Sequence, residues 1–261
     1  MPFRLTVSVW HRLPVILDLS TGELVLAIAV LASASFIRGY SGFGFSAVLV
    51  AGLSFVVDPI EAVPLAIGFE VLASVLQARS VRYEIRWPDF RLLLIAAVIG
   101  NPIGVIILTT VDAEVLRAAT FGVLLVLSGA LLIRRAARIE ATILAVFTVG
   151  VVAGVVNGAT AMSGLVLVLA MSFIAISAAE IRATLVAYFF ASDLLVIGLL
   201  AVRGDIDEIL VWRIIAGLPI LAGGIALGSR WFRRSTEAAF RTVTLGLLIA
   251  ISMIGLLRIA I

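Results

Sequence analysis

Two short stretches hold the residue types that could do chemistry in this chain. RGYSGFGFS at 38–46 sets an arginine among three glycines and two serines, and NGATAMSG at 157–164 sets an asparagine among two glycines, a threonine and a serine. Glycine admits positive φ and lets a ligand reach backbone amides, while hydroxyls add donors. The planar fork of arginine suits an oxygen pair on a carboxylate, sulfonate or phosphate. The expected chemistry is therefore recognition of a small anion. Its candidate residues are Arg38, Gly39, Tyr40, Ser41 and Gly42 in the first stretch and Asn157, Gly158, Thr160 and Ser163 in the second.

Two acids lie inside apolar runs, Glu70 in AVPLAIGFEVLASVLQA and Asp193 in YFFASDLLVIGLL. An intramembrane carboxylate is by default a proton or cation relay. Glu70 or Asp193 is thus the candidate for carrying a coupling proton, the competing role being a structural pair with a buried arginine such as Arg38. Enzyme chemistry finds little support. The single histidine, His11, sits near the start, so Ser163 has no imidazole base. No cysteine is present, which removes disulfides and thiolate metal sites. GYSGFG lacks the glycine order, preceding strand and downstream acid of a dinucleotide loop. No metal, cofactor or nucleic-acid partner is expected.

The elements that must position these residues follow from composition. Of 261 residues, 63% are hydrophobic and 13% charged, with a mean hydropathy of +1.25, more apolar surface than a soluble domain buries. The runs lack period-2 alternation and read as membrane helices. Candidate segments are 22–37, 43–57, 62–78, 91–110, 115–133, 141–156, 161–177, 180–201, 209–229 and 237–258. The expectation is an all-α polytopic membrane protein of about ten segments. Residues 1–21, broken by His11, Arg12 and Pro14, read as an N-terminal interfacial segment, 22–138 as a first transmembrane repeat and 139–261 as a second. GLSFVVDPIEAV at 52–63 matches AMSFIAISAAEIR at 170–182, and IGNPIG at 99–104 matches AGLPIL at 216–221. LRAATFGVLLVLSG at 116–129 likewise matches FRTVTLGLLIAISM at 240–253.

Arginine placement sets orientation. Arg79, Arg82, Arg86, Arg91, Arg134, Arg135, Arg138, Arg182, Arg230, Arg233, Arg234 and Arg241 fall on one side, expected to be cytoplasmic. Both termini then lie outside the cytoplasm, and five being odd, the two repeats enter the membrane inverted, a transporter signature. Segments 43–57 and 141–156 span only about 23 Å as helix, short of a core of about 30 Å. The pairs 22–57 and 141–177 are therefore expected as re-entrant or broken hairpins with the two chemical stretches at their tips. Their following helices would aim N-termini at an anion. Arg38 stands deep in the membrane if the first hairpin turns back and at the cytoplasmic interface if it crosses. Arg182 reads as a topology determinant, and Pro102 and Pro219 as kinks. Glycines at every fourth position in GVVAGVVNG, at Gly100 with Gly104 and at Gly224 with Gly228, suit close helix packing. That spacing favours contacts within one chain and leaves a homodimer open.

GFGFSAVLVAGLSFVVDPIEAVPLAIGFEVLAS at 42–74, AAVIGNPIGVII at 96–107 and AEIRATLVAYFFAS at 179–192 together resemble the TauE/SafE family of sulfite and organosulfonate exporters. The resemblance covers most of the chain beyond about residue 24. It implies movement of a small anion, sulfite or a sulfonate, across a bacterial inner membrane. The combined expectation is a proton-coupled secondary transporter working by alternating access, the alternative being an uncoupled anion channel.

Overall fold

A computed structural model describes residues 20–133, 142–174, 176–232 and 237–260. Ten helices follow in order: α1 (Thr21–Ser41), α2 (Phe45–Leu53), α3 (Pro59–Val81), α4 (Trp87–Thr110), α5 (Ala113–Ile133), α6 (Ile143–Thr160), α7 (Ser163–Met171), α8 (Ala178–Arg203), α9 (Glu208–Phe232) and α10 (Glu237–Ala260). Among the described residues there is no strand. Among the described residues, seven helices (α1, α3, α4, α5, α6, α8 and α9) are long and apolar enough to cross a membrane. Large apolar side chains such as Ile133, Ile143 and Val202 stand exposed, as lipid-facing residues must. The expected segment 1–21 falls almost wholly outside the described residues, as do Arg134, Arg135, Arg138 and the boundary at 138.

Local signals explain the helix starts. Ser20 with Glu23 and Ser177 with Glu180 form capping boxes at α1 and α8, and Thr142 caps α6 through the Ala145 amide. Pro59 opens α3, and Trp87–Pro88 opens α4 four residues before the expected start, since proline costs nothing in a first turn. The expected segments 43–57 and 161–177 shrink to nine residues each, about 13 Å of helix. In the first, Gly42 and Gly44 adopt φ of 78° and 81°, and the chain after Leu53 closes in turns through the Val56 and Val57 amides. In the second, Ala161 takes the left-handed conformation at φ 58°.

The packing has an internal order. The first helix of each five-helix half packs against the fourth helix of the other half: α1 on α9, and α6 on α4. The third helices pack on each other (α3 on α8), as do the fifth (α5 on α10). Both first-to-fourth contacts run parallel through small residues. Gly224 and Gly228 of α9 lie against Ser35, Phe36 and Tyr40, while Gly150, Gly154 and Gly158 of α6 lie against α4 from Leu93 to Val105. These stripes are thus occupied within the chain. The short helix α2 folds back along α1, Gly52 meeting Val30 and Gly44 facing Ile37.

Candidate functional site

The two chemical stretches lie across helix ends rather than wholly in loops. Arg38, Gly39, Tyr40 and Ser41 form the last turn of α1, and Asn157, Gly158 and Thr160 the last turn of α6. The breaks themselves are Gly42–Gly44 and Ala161–Met162. Gly39 and Gly158 therefore sit inside helices, where a Cβ would strike the Ile225 backbone in one case and the Asn101 carbonyl in the other. Close helix approach is what these two glycines provide here. Ser41 bonds its own turn through the Ile37 carbonyl at 2.9 Å, and Thr160 does so through Val156 at 2.8 Å. Tyr40 is buried beside Gly228.

Open backbone donors are found instead at the starts of the short helices. Neither α2 nor α7 has a side-chain cap on its N-terminal amides, and the first helical bond of α2 is Val48 to the Gly44 carbonyl. Such ends leave first-turn N–H groups unpaired and carry partial positive charge. Both starts line one narrow cavity of about 10 Å³, with Gly44, Ser46, Met162, Gly164, Glu70 and Phe189 in its wall. The two stretches, 120 residues apart in sequence, are thus brought to one place.

Arg38 is fully buried beside this cavity. Its guanidinium pairs with Glu70 Oε1 at 2.9 Å, donates to Ser74 at 3.0 Å and to the Gly42 carbonyl, and lies 4.9 Å from the centre of the Phe189 ring. Its Nε–H has no acceptor among the described residues. Ser46, in the first turn of α2, donates to the other Glu70 oxygen at 2.6 Å, and Gln77 donates to the Arg38 carbonyl. Along the parallel contact Gly39 meets Ile225, five residues past the middle of α9, so Arg38 lies about 8 Å from mid-helix toward the arginine-rich end. Arg38 is thus buried within the protein, in the last turn of a helix long enough to cross a membrane.

The second half carries a matching cluster without an arginine. Asn157 donates to Asp193 Oδ1 at 2.8 Å and accepts from Ser163 at 2.8 Å. Asn101 of α4 donates to the Ser192 hydroxyl at 2.9 Å and the Ser192 carbonyl at 3.2 Å. Asn101, Asn157, Ser163, Ser192 and Asp193 are all buried. Arg182, expected to mark topology, also reaches the first break: its stem lies against Gly42 and its Nη2 lies 3.5 Å from the Gly39 carbonyl.

A larger apolar cavity of about 250 Å³ lies between α1, α2, α3 and α9. An ion pair of Glu61 with Arg213 at 2.7 Å stands in its wall, as does Phe69, whose ring meets Phe45 edge-on.

Comparison with known proteins decides the family. The model of the sulfite exporter TauE/SafE family matches residues 25–254, a span that holds both breaks and both buried acids. The chain belongs to the TauE/SafE family. No curated protein and no solved structure matches it. Family and apolar helices together make it a multi-pass membrane protein of the exporter type, a transporter class and not an enzyme class. Within this TauE/SafE chain, sequence reasoning missed Ser46, Ser74, Gln77, Ser192 and Phe189. Ser74 and Gln77 follow Glu70 by four and seven residues, and Phe189 precedes Asp193 by four, so each shares a helix face with a candidate acid. That spacing was the signal available.

Proposed function

We propose that this TauE/SafE protein is a secondary transporter that moves sulfite or an organosulfonate across the bacterial inner membrane, coupled to protons, by alternating access. Its two five-helix halves act as inverted repeats, with α1–α2 and α6–α7 as re-entrant hairpins and both termini outside the cytoplasm. The crossed packing of first on fourth helices, together with the arginine distribution, supports that architecture. The anion binds between the opening amides of α2 and α7, with Arg38 as its charged ligand.

One observation carries this reading: Glu70, in the wall of the cavity that both helix starts share, holds Arg38 directly behind it. A carboxylate and an anionic substrate compete for one guanidinium. While Glu70 is ionised, its carboxylate occupies Arg38; once Glu70 takes a proton, the fork is released to the oxygens of the anion. Binding of the anion is thereby tied to uptake of a proton.

Proteoliposomes test this directly. Arg38→Gln is expected to abolish sulfite flux. Glu70→Gln is expected to keep flux while losing its response to an imposed pH gradient. Full flux in Arg38→Gln would remove the anion site, and a gradient response surviving in Glu70→Gln would remove the coupling and leave an uncoupled channel.

A further inference from the structure

We propose that Asp193 and Asn101, with the C-terminal end of α6, form a binding site for a sodium ion. The case starts from the correspondence of the two halves. At the end of α1, Arg38 pairs with Glu70 of the third helix at 2.9 Å; at the end of α6, Asn157 bonds Asp193 of the third helix at 2.8 Å. The contacts correspond to within one helical turn, but the cation of the first half is replaced by a shorter, neutral amide.

Asp193 therefore holds a buried carboxylate whose only hydrogen-bonding partner among the described residues is that amide. Its Oδ2 has no donor, and Asn101 Oδ1, joined to the same cluster through Ser192, has none either. Both residues are essentially unexposed, Asp193 at 1% and Asn101 at 0%. Acceptor oxygens left unpaired at that depth are costly unless a proton or a cation meets them.

The surroundings favour a cation of single charge. The end of α6 presents the negative pole of its dipole, and no basic side chain stands in its last turn, whereas Arg38 stands in that of α1. Arg38 and Glu70 carry opposite charges, so with an ionised Asp193 the three buried groups sum to one negative charge. One carboxylate is then left to neutralise. A sodium ion does so, while a divalent ion would leave a buried positive charge. The ligand set, carboxylate, amide oxygen and hydroxyl near a broken helix, is the hard oxygen set that sodium takes in such places.

The test uses the full chain purified in detergent, with no sulfite present, and follows unfolding by tryptophan fluorescence. Ionic strength is held constant while sodium chloride replaces choline chloride. The expected result is a saturable rise of the midpoint, about 2–4 °C when sodium reaches ten times its dissociation constant. Asp193→Asn should unfold at a higher temperature in choline and show no further rise with sodium. Should that variant fail to fold, Asn101→Ala takes its place and is expected to weaken the sodium response at least tenfold. An equal midpoint in sodium and choline, a stronger response to potassium, or a full sodium response in Asp193→Asn would each overturn the proposal. Because sulfite is absent and Arg38 untouched, failure of the anion site leaves this result unaffected.

Discussion

Arg38 meets four different partners in the protein interior: a carboxylate, a hydroxyl, a carbonyl and an aromatic ring. Removing one member of a buried ion pair strands the other, at a cost of about 3–5 kcal/mol, whereas removing both is close to neutral. Arg38→Gln is therefore expected to lower the unfolding temperature, and Arg38→Gln with Glu70→Gln to restore it without restoring sulfite flux. Thermal unfolding and flux on the same preparations separate the two effects. Ser46 offers a gentler probe. Ser46→Ala removes a 2.6 Å bond that holds Glu70 toward Arg38, and it should cost about 1 kcal/mol of stability, read as a small fall in the unfolding midpoint. At this scale the sequence was partly legible. Arg38, Glu70 and Asp193 stood out because charge in an apolar run is rare. Ser46 and Ser192 did not, because serine is unremarkable until its neighbour across the fold is known.

The short helices owe their form to three left-handed residues. Two are glycines, for which the conformation is free, and the third is Ala161, for which it costs about 1 kcal/mol. Ala161→Gly is expected to stabilise the fold by up to that amount, measured as a shift of the denaturant midpoint. Gly42→Ala combines left-handed strain with a clash against the Arg182 stem and should be destabilising. The parallel packing of α1 on α9 and α6 on α4 rests on glycines with no room for a side chain. Gly104→Val or Gly228→Val should cost about 1–3 kcal/mol through overpacking. Glycine at every fourth residue made these faces readable in advance, but not their partners. Helix ends were misjudged where hydropathy continued past a glycine: the run from 43 to 57 carries no charge, and only φ values near 80° at Gly42 and Gly44 and turns after Leu53 cut α2 to nine residues.

Across the whole molecule, the first-turn acids of α3 and α8, Glu61 and Glu180, each meet an arginine of the other half. Glu61, in the first turn of α3, pairs with Arg213 of α9 at 2.7 Å. Glu180, in the first turn of α8, lies 3.9 Å from Arg86 at the start of α4. In the proposed inverted arrangement they face opposite sides of the membrane, the outer one closed more tightly. Arg213→Gln should loosen the outer one. The chain has no cysteine, so a single Leu49→Cys in the apolar cavity reports access directly, and its maleimide labelling from outside should rise several-fold in the Arg213→Gln background. The crossed pairing also bears on how the protein is made. During synthesis α1 enters the bilayer long before α9, its packing partner, leaves the ribosome, and its last turn brings a charged arginine with it. Until about residue 228 has been added, the Ser35–Tyr40 face of α1 has no glycine surface to rest on. Hydrogen-bonding to α3 through Glu70, Ser74 and Gln77 is available much earlier, within the first 81 residues. The buried pair thus has a second role, as the hold that keeps an arginine-bearing helix in place while the chain waits for its other half.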